Sequence, residues 1–383
     1  MSKDLEALRE ELDRVDEQMV QLFQERMALC AQVANYKKEH GLPVLAAGRE
    51  RALLGRIGEL AGPELAEYAQ SVYRAILSVS RSYQHARLSQ ESKVYHTIQQ
   101  ALEETPGLFP QRPTVACQGV EGAYSQIACD RLFKSPTILY FQSFDHVFKA
   151  VESGMCQYGV LPIENSTAGS VKAVYDLMIR HSFSIVRSAR LRVSHNLLVK
   201  PGTRPDQVKE IFSHEQAISQ CAGYLAGLKD VKVTVCENTA VASQLVAQSE
   251  RTDIAAISSR FCAELYGLSI LEENIQDSDN NYTRFICISK KPEIYPGADR
   301  TSLMLTLPHR PGSLYSVLSI FYALNINLQK LESRPLPGRE FEFMFYFDLD
   351  ASVYAPEMER LLQDLEAGCE QLRYLGTYNE VIC

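Results

Sequence analysis

The 383-residue sequence has no excess of basic residues, no closely spaced cysteines and no long apolar run. Its formal net charge of −8 argues against nucleic acid as the main partner, because no domain has the positive charge needed to hold a phosphate backbone. The ten cysteines are scattered singly, which predicts reduced thiols rather than disulfides or a zinc site. No apolar run approaches the roughly 20 residues of a membrane span, and the first residues lack the apolar core of a signal peptide. We therefore expect a cytoplasmic protein of two or three domains, without metal, cofactor, membrane or nucleic-acid partner.

Apolar residues in the first 40 positions recur at alternating steps of three and four. This spacing predicts a long helix with a coiled-coil type of seam, ending near Gly41 and before Pro43. A helix about 50 Å long is not stable alone in a small domain, so a partner helix must cover its seam. The seam residues are Leu5, Leu8, Leu12, Val15, Met19, Leu22, Leu29, Val33 and Tyr36.

Two cations lie on this apolar face. Arg26 occupies a position where an apolar residue is expected, and Lys37 follows on the same face three turns later. Cations on a buried face need anions, from a ligand or from glutamates of a neighbouring helix; alternatively, both side chains extend to solvent. Arg9 lies ~25 Å along the axis from Arg26 and cannot join it within one chain. In an antiparallel pair Arg9 of one chain could approach Arg26 of the other, which requires a homodimer.

Two more helices are predicted, one from about Ala46 to Leu60 and one from Pro63, a favoured first-turn residue, to about Leu88. Both helices carry polar residues that are unremarkable one by one but informative as a set. They are Arg49, Glu50, Ser80 and Gln84. Ser80 and Gln84 are four residues apart and therefore share a helix face.

This combination resembles the small helical type of chorismate mutase over about residues 1–90, and the resemblance implies an intertwined helical dimer. It implies that chorismate is held by Arg26, Lys37, Arg49, Glu50, Ser80 and Gln84, with Arg9 reaching in from the partner chain. Ala46 departs from the pattern, because the family often has an aspartate there, which puts one contact to a substrate hydroxyl in doubt. The reaction is a unimolecular rearrangement and needs a compact dianion rather than a nucleophile. Arginines would clamp the two carboxylates, Lys37 and Gln84 would donate to the ether oxygen, and Glu50 would hold the ring hydroxyl.

A linker at residues 91–112 is predicted to contain a short helix and a proline-rich connector. From 113 to 290 short apolar strands alternate with helices, which indicates an α/β domain that could form two lobes. The predicted strands are Thr114–Gln118, Ile138–Phe141, Tyr158–Ile163, Ile185–Val193, Glu210–Phe212, Lys232–Cys236, Ile254–Ile257 and Phe285–Ile288.

Three of these strands run into polar turns that open helices, and a fourth polar stretch precedes the last strand. Open α/β sheets bind ligands at such strand ends, where helix N-termini offer free N–H groups to an anion. Each turn alone is a weak signal: Gly-x-x-Gly is a common turn, and Ser213 is equally expected as a helix cap. Together they predict a cleft for a small carboxylate. The stretches are 119–125, 162–169, 213–216 and 281–285.

The motifs at 160–166, at Ser213-His214 with Gln220-Cys221, and at 281–285 resemble those of prephenate dehydratase, in family order over about 113–290. The resemblance implies a two-lobed fold of the periplasmic-binding type with the active site between the lobes. It matches Thr283 to the essential threonine of that family. It matches the cleft positions of the family to Glu164, Asn165, Ser213 and Gln220.

The dehydration of prephenate needs no base, because loss of CO2 supplies the electrons that expel the hydroxide. The departing oxygen needs a proton or strong hydrogen bonds, and we predict Thr283 as the donor, held by Arg284. The alternative is a turn threonine that bonds its own backbone. Glu164 and His214 are both candidates for the ultimate proton source, and His214 is equally expected as a structural cap.

Residues 300–380 are predicted to follow the order βαββαβ, typical of a ferredoxin-like domain. The predicted elements are Ser302–Leu307, Leu314–Ala323, Asn327–Glu332, Glu342–Leu349, Pro356–Ala367 and Tyr374–Val381. The turn at 308–315 and the Glu332-Ser333-Arg334 stretch resemble ACT regulatory domains of prephenate dehydratases. The resemblance implies phenylalanine bound between two such domains at Gly312, Ser313, Leu314, Glu332, Ser333 and Arg334. In a purely structural interpretation, the Gly and Pro residues only make turns.

The three resemblances together imply a bifunctional enzyme, a homodimer or higher homo-oligomer. It would convert chorismate to prephenate and prephenate to phenylpyruvate, under feedback by L-phenylalanine. Two alternatives remain open. In one, the helical head only dimerises a monofunctional dehydratase; in the other, the chain is a non-catalytic amino-acid sensor, for which Thr283 would be unnecessary.

Overall fold

The structure is a computed structural model that describes residues 5–87, 92–340 and 342–383. The chain forms two compact units, and each draws on separate stretches of the sequence. The helical unit comprises the described parts of Met1–His96, Thr306–Ile326 and Ala355–Leu372. The α/β unit comprises the described parts of Thr97–Leu305, Asn327–Tyr354 and Arg373–Cys383.

Three helices come first along the described residues, and strands and helices are interspersed from there to the C-terminus. The helices are α1 (Leu5–Glu39), α2 (Ala47–Arg87), α3 (Lys93–Glu104), α4 (Tyr124–Leu132), α5 (Phe144–Glu152), α6 (Lys172–Arg180), α7 (Glu215–Gln220), α8 (Ala222–Ala226), α9 (Thr239–Gln248), α10 (Arg260–Tyr266), α11 (Ser313–Ala323) and α12 (Glu357–Gly368). The strands are β1 (Thr114–Gln118), β2 (Thr137–Phe141), β3 (Tyr158–Asn165), β4 (Gly169–Ser170), β5 (Ser184–Arg192), β6 (Asn196–Val199), β7 (Glu210–Ser213), β8 (Lys232–Val235), β9 (Ile254–Ser258), β10 (Ser269–Glu272), β11 (Tyr282–Ser289), β12 (Arg300–Thr306), β13 (Asn327–Pro335), β14 (Phe343–Asp350), β15 (Gln371–Tyr378) and β16 (Glu380–Ile382).

Helices α1 and α2 form most of the helical unit. Gly62 interrupts α2 with φ 76° and ψ 168°, a conformation that glycine adopts without steric cost, and Pro63 begins the second segment. The predictions of two helices around this point are therefore confirmed as the two segments of α2. Helix α12 packs against α2, and the Ser82 hydroxyl donates a hydrogen bond to the Asp364 carboxylate.

The apolar seam of α1 is not covered by any described residue of this unit. All nine seam residues are exposed, from 41% for Leu8 to 65% for Leu22. Leu65, Tyr68 and Val72 of α2 are exposed as well. Contact between α1 and α2 therefore leaves a long apolar surface, as expected of a helix that needs a further partner.

The α/β unit contains a seven-stranded mixed sheet in the order β16-β5-β11-β3-β1-β2, with β4 paired to β3. Strands β1, β2 and β3 run parallel, whereas β11 runs antiparallel to both of its neighbours. Gly159 lets α5 approach this sheet closely, because a Cβ there would lie 2.9 to 3.1 Å from side-chain atoms of Val147, Val151 and Ile288. The register places Thr283 of β11 directly opposite Asn165 at the end of β3.

A second sheet of five strands, in the order β10-β6-β9-β7-β8, forms the other lobe of the α/β unit. Its strand β9 is buried along its whole length, and α9 packs against it. The predicted α/β layout with two lobes is thus observed as two separate sheets.

The C-terminal stretch provides four strands in the order β13-β14-β12-β15, and the elements follow the predicted sequence βαββαβ. The last predicted strand is divided at Asn379. Strand β15 stays in the four-stranded sheet, whereas β16 pairs in parallel with β5 of the seven-stranded sheet.

All eight strands predicted for the middle of the chain are confirmed within three residues at each end. Three short strands of two to four residues, β4, β6 and β10, were not predicted. All ten cysteines are free. Among the described residues, none of the helices combines the length and the apolar character that crossing a membrane demands.

Candidate functional site

The α/β unit contains a cavity of about 520 Å³ that is lined by residues of both lobes. The four polar stretches predicted from the sequence all contribute to its wall, through Tyr124, Asn165, His214 and Thr283 among others. Of the described residues that line it, Glu237 is the one acidic side chain, and none is arginine or lysine. The cavity therefore offers mainly neutral hydrogen-bonding groups.

The Asn165 side chain is held in one orientation by the turn that follows it. Its Oδ1 accepts hydrogen bonds from the backbone N–H groups of Thr167 (3.0 Å) and Ala168 (2.8 Å). Its Nδ2 must therefore point the other way, where it donates to Asn281 Oδ1 (2.8 Å) and to Thr283 Oγ1 (3.0 Å). Because Thr283 Oγ1 accepts this bond, the hydroxyl proton of Thr283 is directed elsewhere, and the residue lines the cavity.

Gln220 closes the network from the other lobe. Its Nε2 donates to Thr167 Oγ1 (2.8 Å), and that hydroxyl donates to Asn165 Oδ1 (2.7 Å). Its Oε1 accepts from Asn281 Nδ2 (3.0 Å) and lies 2.9 Å from His195 Nε2. Both lobes are therefore joined to the Asn165–Thr283 pair by side-chain hydrogen bonds.

A second polar cluster lies between α1 and α2. The Arg26 guanidinium donates to Ser80 Oγ, and Ser80 Oγ donates in turn to the backbone oxygen of Ile76 (2.6 Å). Gln84, one turn further along α2, is buried, and its Oε1 has no partner among the described residues. Ser80 and Gln84 are therefore both buried on one face of α2, as their four-residue spacing predicts, and Arg26 of α1 contacts that face through Ser80.

Lys37 and Glu50 lie at the loop between the two helices. Lys37 Nζ donates to the backbone oxygen of Val44, and Arg81 Nη1 contacts both carboxylate oxygens of Glu50 at 2.7 and 2.8 Å. Burial lowers the pKa of Lys37, although the Glu50 carboxylate opposes this change. The positive charge of Arg49 also lowers the pKa of Lys37. Arg9 lies apart from this cluster within its own chain, exposed on the first turns of α1.

The two clusters lie in parts of the chain that match two different protein families. Residues 115–293 match the family model described as prephenate dehydratase, and residues 8–85 match the one described as chorismate mutase type II. A bifunctional chorismate mutase/prephenate dehydratase from Enterobacter agglomerans is 31% identical over 97% of this chain and 95% of its own length. The chain belongs to the bifunctional chorismate mutase/prephenate dehydratase family.

Other relatives match the dehydratase part. Arogenate dehydratase/prephenate dehydratase 1, a chloroplastic protein of Arabidopsis thaliana, is 37% identical over 69% of this chain and 71% of its own. The crystal structure of a prephenate dehydratase from Arthrobacter aurescens in complex with L-Phe is 27% identical, with a TM-score of 0.64 over 70% of this chain and 89% of its own. The cavity lies in the dehydratase part, and the Arg26 cluster lies in the mutase part.

The structure does not bring every predicted dehydratase residue to the cavity. Glu164 and Arg284 face each other across β3 and β11, on the side opposite Asn165 and Thr283, because side chains alternate along a strand. Ser213 is fully buried and its hydroxyl donates to the backbone oxygen of Ile257 (2.7 Å). Any role of Glu164, Arg284 and Ser213 in the reaction would therefore have to be indirect. His214 lines the cavity and also caps α7 by accepting from the Gln216 N–H (3.3 Å).

Arg284 is directed into a buried ionic cluster. Its guanidinium pairs with Asp348 of β14, donates to Tyr378 Oη (2.9 Å) and lies 3.1 Å from Glu380 Oε1. Asp348 is completely buried. This arrangement connects the strand that carries Thr283 to the C-terminal strands.

His195 is a cavity residue that sequence reasoning missed. It is 2% exposed, and its Nδ1 has no partner among the described residues. Burial lowers the pKa of His195 and so favours the neutral imidazole, although the hydrogen bond to Gln220 opposes this change. It lies on the connection between β5 and β6, which crosses from one sheet to the other. No short motif marks such a crossover, so the sequence offered no signal for it.

The predicted regulatory residues fall in both units. Gly312 precedes α11 with φ 86°, followed by Ser313 and Leu314 in the helical unit. In the α/β unit, Glu332 Oε2 accepts from Ser170 Oγ (2.6 Å) and Arg334 makes two bonds to the Asp176 carboxylate (2.7 and 2.8 Å). Ser333 is exposed between them. No group of three or more potential metal ligands occurs in the part of the chain that the structure describes.

The lowered pKa of Lys37 predicts a pH dependence for the mutase reaction. If the ammonium of Lys37 assists the reaction, kcat/KM falls as the pH rises through a value below the usual 10.5 for lysine, because the charged form is then lost. Lys37→Arg should remove this alkaline fall, since arginine keeps its charge. A mutase profile that is flat throughout this range in the wild type would contradict the assignment.

Proposed function

We propose that the Arg26 cluster converts chorismate to prephenate and that the cavity converts prephenate to phenylpyruvate, CO2 and water. The single observation that supports the second step best is the 3.0 Å hydrogen bond from Asn165 Nδ2 to Thr283 Oγ1. It leaves the threonine hydroxyl free to donate at the wall of a cavity lined mainly by neutral groups, and a purely structural threonine would not need a free donor there.

In the mutase site the substrate is a dicarboxylate, and the arginines hold it in a compact conformation. Arg26 and Arg49 bind carboxylates, Ser80 supports Arg26, and the reaction needs no proton transfer. Lys37 and Gln84 donate to the ether oxygen on which charge develops, and Glu50 receives the ring hydroxyl. Ala46 contributes no side-chain hydrogen bond.

The mutase site is completed by a second copy of this chain. Nine exposed seam residues on α1 form an apolar face that a copy of the same helix covers in an intertwined homodimer. An antiparallel arrangement carries Arg9 of the partner subunit toward Arg26. Arg9 is exposed within its own chain, which leaves its guanidinium free for this contact.

In the dehydratase cavity neutral donors hold the dianion. The first turns of α4 and α9 lie at its wall, with the hydroxyls of Ser125 and Thr239, and helix N-termini stabilise anions. The bond from the ring to its carboxylate breaks and CO2 leaves. The electron pair enters the ring, the C–O bond breaks, and the hydroxide takes a proton from Thr283. Of the two candidate proton sources, His214 is favoured because it lines the cavity, whereas Glu164 faces away from it.

L-Phenylalanine inhibits the enzyme through the C-terminal βαββαβ module, which we assign as an ACT domain. Support comes from its strand order and from the related Arthrobacter enzyme, whose crystal structure contains L-Phe. The expected contacts are Gly312, Ser313, Leu314, Glu332, Ser333 and Arg334. Inhibition requires two states of the enzyme that differ in their affinity for phenylalanine.

Incubating the purified chain with chorismate tests the whole proposal. Prephenate is expected to form first and phenylpyruvate after it, and the second step should slow when L-phenylalanine is added. Prephenate that accumulates without phenylpyruvate would contradict the dehydratase. Turnover of added prephenate but not of chorismate would reduce the helical region to a dimerisation element. Binding of phenylalanine without either turnover would leave a sensor.

A further inference from the structure

Strand β13 holds the dehydratase part through one of its faces. Lys330, Glu332 and Arg334 alternate along this strand, so that their side chains emerge on the same side. All three are partly buried and contact β3, β4 or α6 of the same unit, whereas Leu331 and Ser333 between them are exposed. Through this face, β13 makes a series of polar contacts to the dehydratase part of the chain.

Lys330 makes the most informative of these contacts. Its Nζ donates to Glu164 Oε1 (2.6 Å) and to Ser170 Oγ (2.8 Å), and its side chain is 16% exposed. Glu164 and Ser170 are directly opposite each other in the hairpin of β3 and β4. Ser170 Oγ donates onward to Glu332 Oε2 (2.6 Å). One ammonium group thus bridges the two strands of this hairpin and lies near two carboxylates.

The same hairpin carries the group that orients Thr283. Asn165 is paired with Gly169, whose φ of 79° permits the tight turn between them. The Asn165 side chain bonds to the N–H groups of that turn on one side and to Thr283 Oγ1 on the other. A change in the separation of the hairpin strands therefore moves the Asn165 amide relative to the reacting hydroxyl.

We propose that Lys330 is a positioning residue of the dehydratase site. It does not line the cavity and so does not touch the substrate. Without its charge, Glu164 on the hairpin and Glu332 on β13 would repel each other. The hairpin would shift, and the hydrogen bond from Asn165 to Thr283 would be held less firmly. The inference rests on the dehydratase reaction proposed above. It assigns the C-terminal strand a direct part in that reaction, independent of any effector.

The decisive variant is Lys330→Met, which keeps the length and apolar stem of the side chain and removes the charge. Its kcat for prephenate is expected to fall about tenfold or more with KM nearly unchanged, because small misplacements of a reacting group are costly. Lys330→Arg should recover most of the loss. Mutase activity of the same preparation reports that the helical unit is folded, and an unchanged KM for prephenate reports that the cavity of the α/β unit is intact.

Two further variants provide matched comparisons. Lys232 Nζ also bonds a glutamate of a neighbouring strand, Glu210, at 2.8 Å, but this pair lies in the five-stranded sheet and not on the β3–β4 hairpin that carries Asn165, so Lys232→Met should keep the wild-type kcat. In a Glu164→Gln background Lys330→Met should cost less than in the wild type, because the repulsion between carboxylates is already relieved.

Three results would overturn the proposal: a wild-type kcat in Lys330→Met, an equal loss in Lys232→Met, or no recovery in Lys330→Arg. If Lys330→Met also loses mutase activity, Lys330→Gln is measured instead, since it still donates a hydrogen bond without charge. An intermediate kcat with intact mutase activity is then expected, and a wild-type kcat refutes the idea. If the wild-type chain itself fails to convert prephenate, the proposed function is at fault.

Discussion

Thr283→Ala is expected to lower kcat for prephenate dehydration by about 10²- to 10³-fold, the usual cost of one hydrogen-bond donor to developing negative charge. The Asn165 amide occupies the acceptor side of the hydroxyl, so the proton of Thr283 is available to the departing oxygen. The methyl group of alanine offers no replacement. Mutase activity should be unchanged, because Thr283 belongs to the α/β unit and the Arg26 cluster belongs to the helical unit. Both rates can be followed on one purified sample.

Two further variants distinguish the role of the Thr283 hydroxyl from the role of its side-chain volume. Thr283→Val keeps the volume and should be as inactive as the alanine variant, whereas Thr283→Ser keeps the donor and should retain much of the rate. An active valine variant would show that the hydroxyl is not the donor. Equal loss of mutase and dehydratase activity in any of these variants would contradict separate sites.

Arg26→Ala should produce the reverse pattern, with mutase kcat/KM lower by about 10³-fold and dehydration of added prephenate preserved. The guanidinium of Arg26 is anchored by Ser80 on a partly buried face and is the principal charge there for a substrate carboxylate. Arg26→Lys should remain strongly impaired, because an ammonium group cannot form the bidentate contact of a guanidinium. A mutase rate that survives in Arg26→Ala would mean that this face is not the site.

Mixing two inactive variants tests the contribution of the second subunit. If Arg9 acts across the dimer, chains with Arg9→Ala and chains with Arg26→Ala each lack mutase activity alone. A heterodimer contains one intact site, so an equilibrated mixture should regain about a quarter of the wild-type activity. A mixture that stays inactive would show that Arg9 does not act across the dimer, and full mutase activity of Arg9→Ala alone would place Arg9 outside the mutase site.

The helices and the buried strands could be predicted from the sequence because their patterns of apolar residues extend over enough positions to be recognised. The seam of α1 repeats over nine apolar positions, and β3 and β11 are long apolar runs. The sequence could not predict that the residues from Glu380 onward leave one sheet for another. That choice depends on pairing with β5, nearly 200 residues earlier, and nothing local encodes it.

The candidate site was predictable where its residues lie on recognisable turns. Asn165, Gln220 and Thr283 belong to motifs that could be found in the sequence, and the structure brings them together. Glu164 and Arg284 adjoin Asn165 and Thr283 in the sequence but face away from the cavity, because successive side chains along a strand point to opposite faces. His195 and Lys330 were missed because their partners are 25 and more than 160 residues away.

The three-residue strand β16 has a practical consequence for any attempt to remove the proposed feedback control by phenylalanine. Cutting off the chain after about residue 299 would delete not only the proposed ACT domain but also β16, the outermost strand of the seven-stranded sheet that carries Thr283. It would also remove Asp348 and Glu380, the two carboxylates that pair with the Arg284 guanidinium on the strand that carries Thr283. Unregulated versions should therefore be sought by single substitutions, not by truncation.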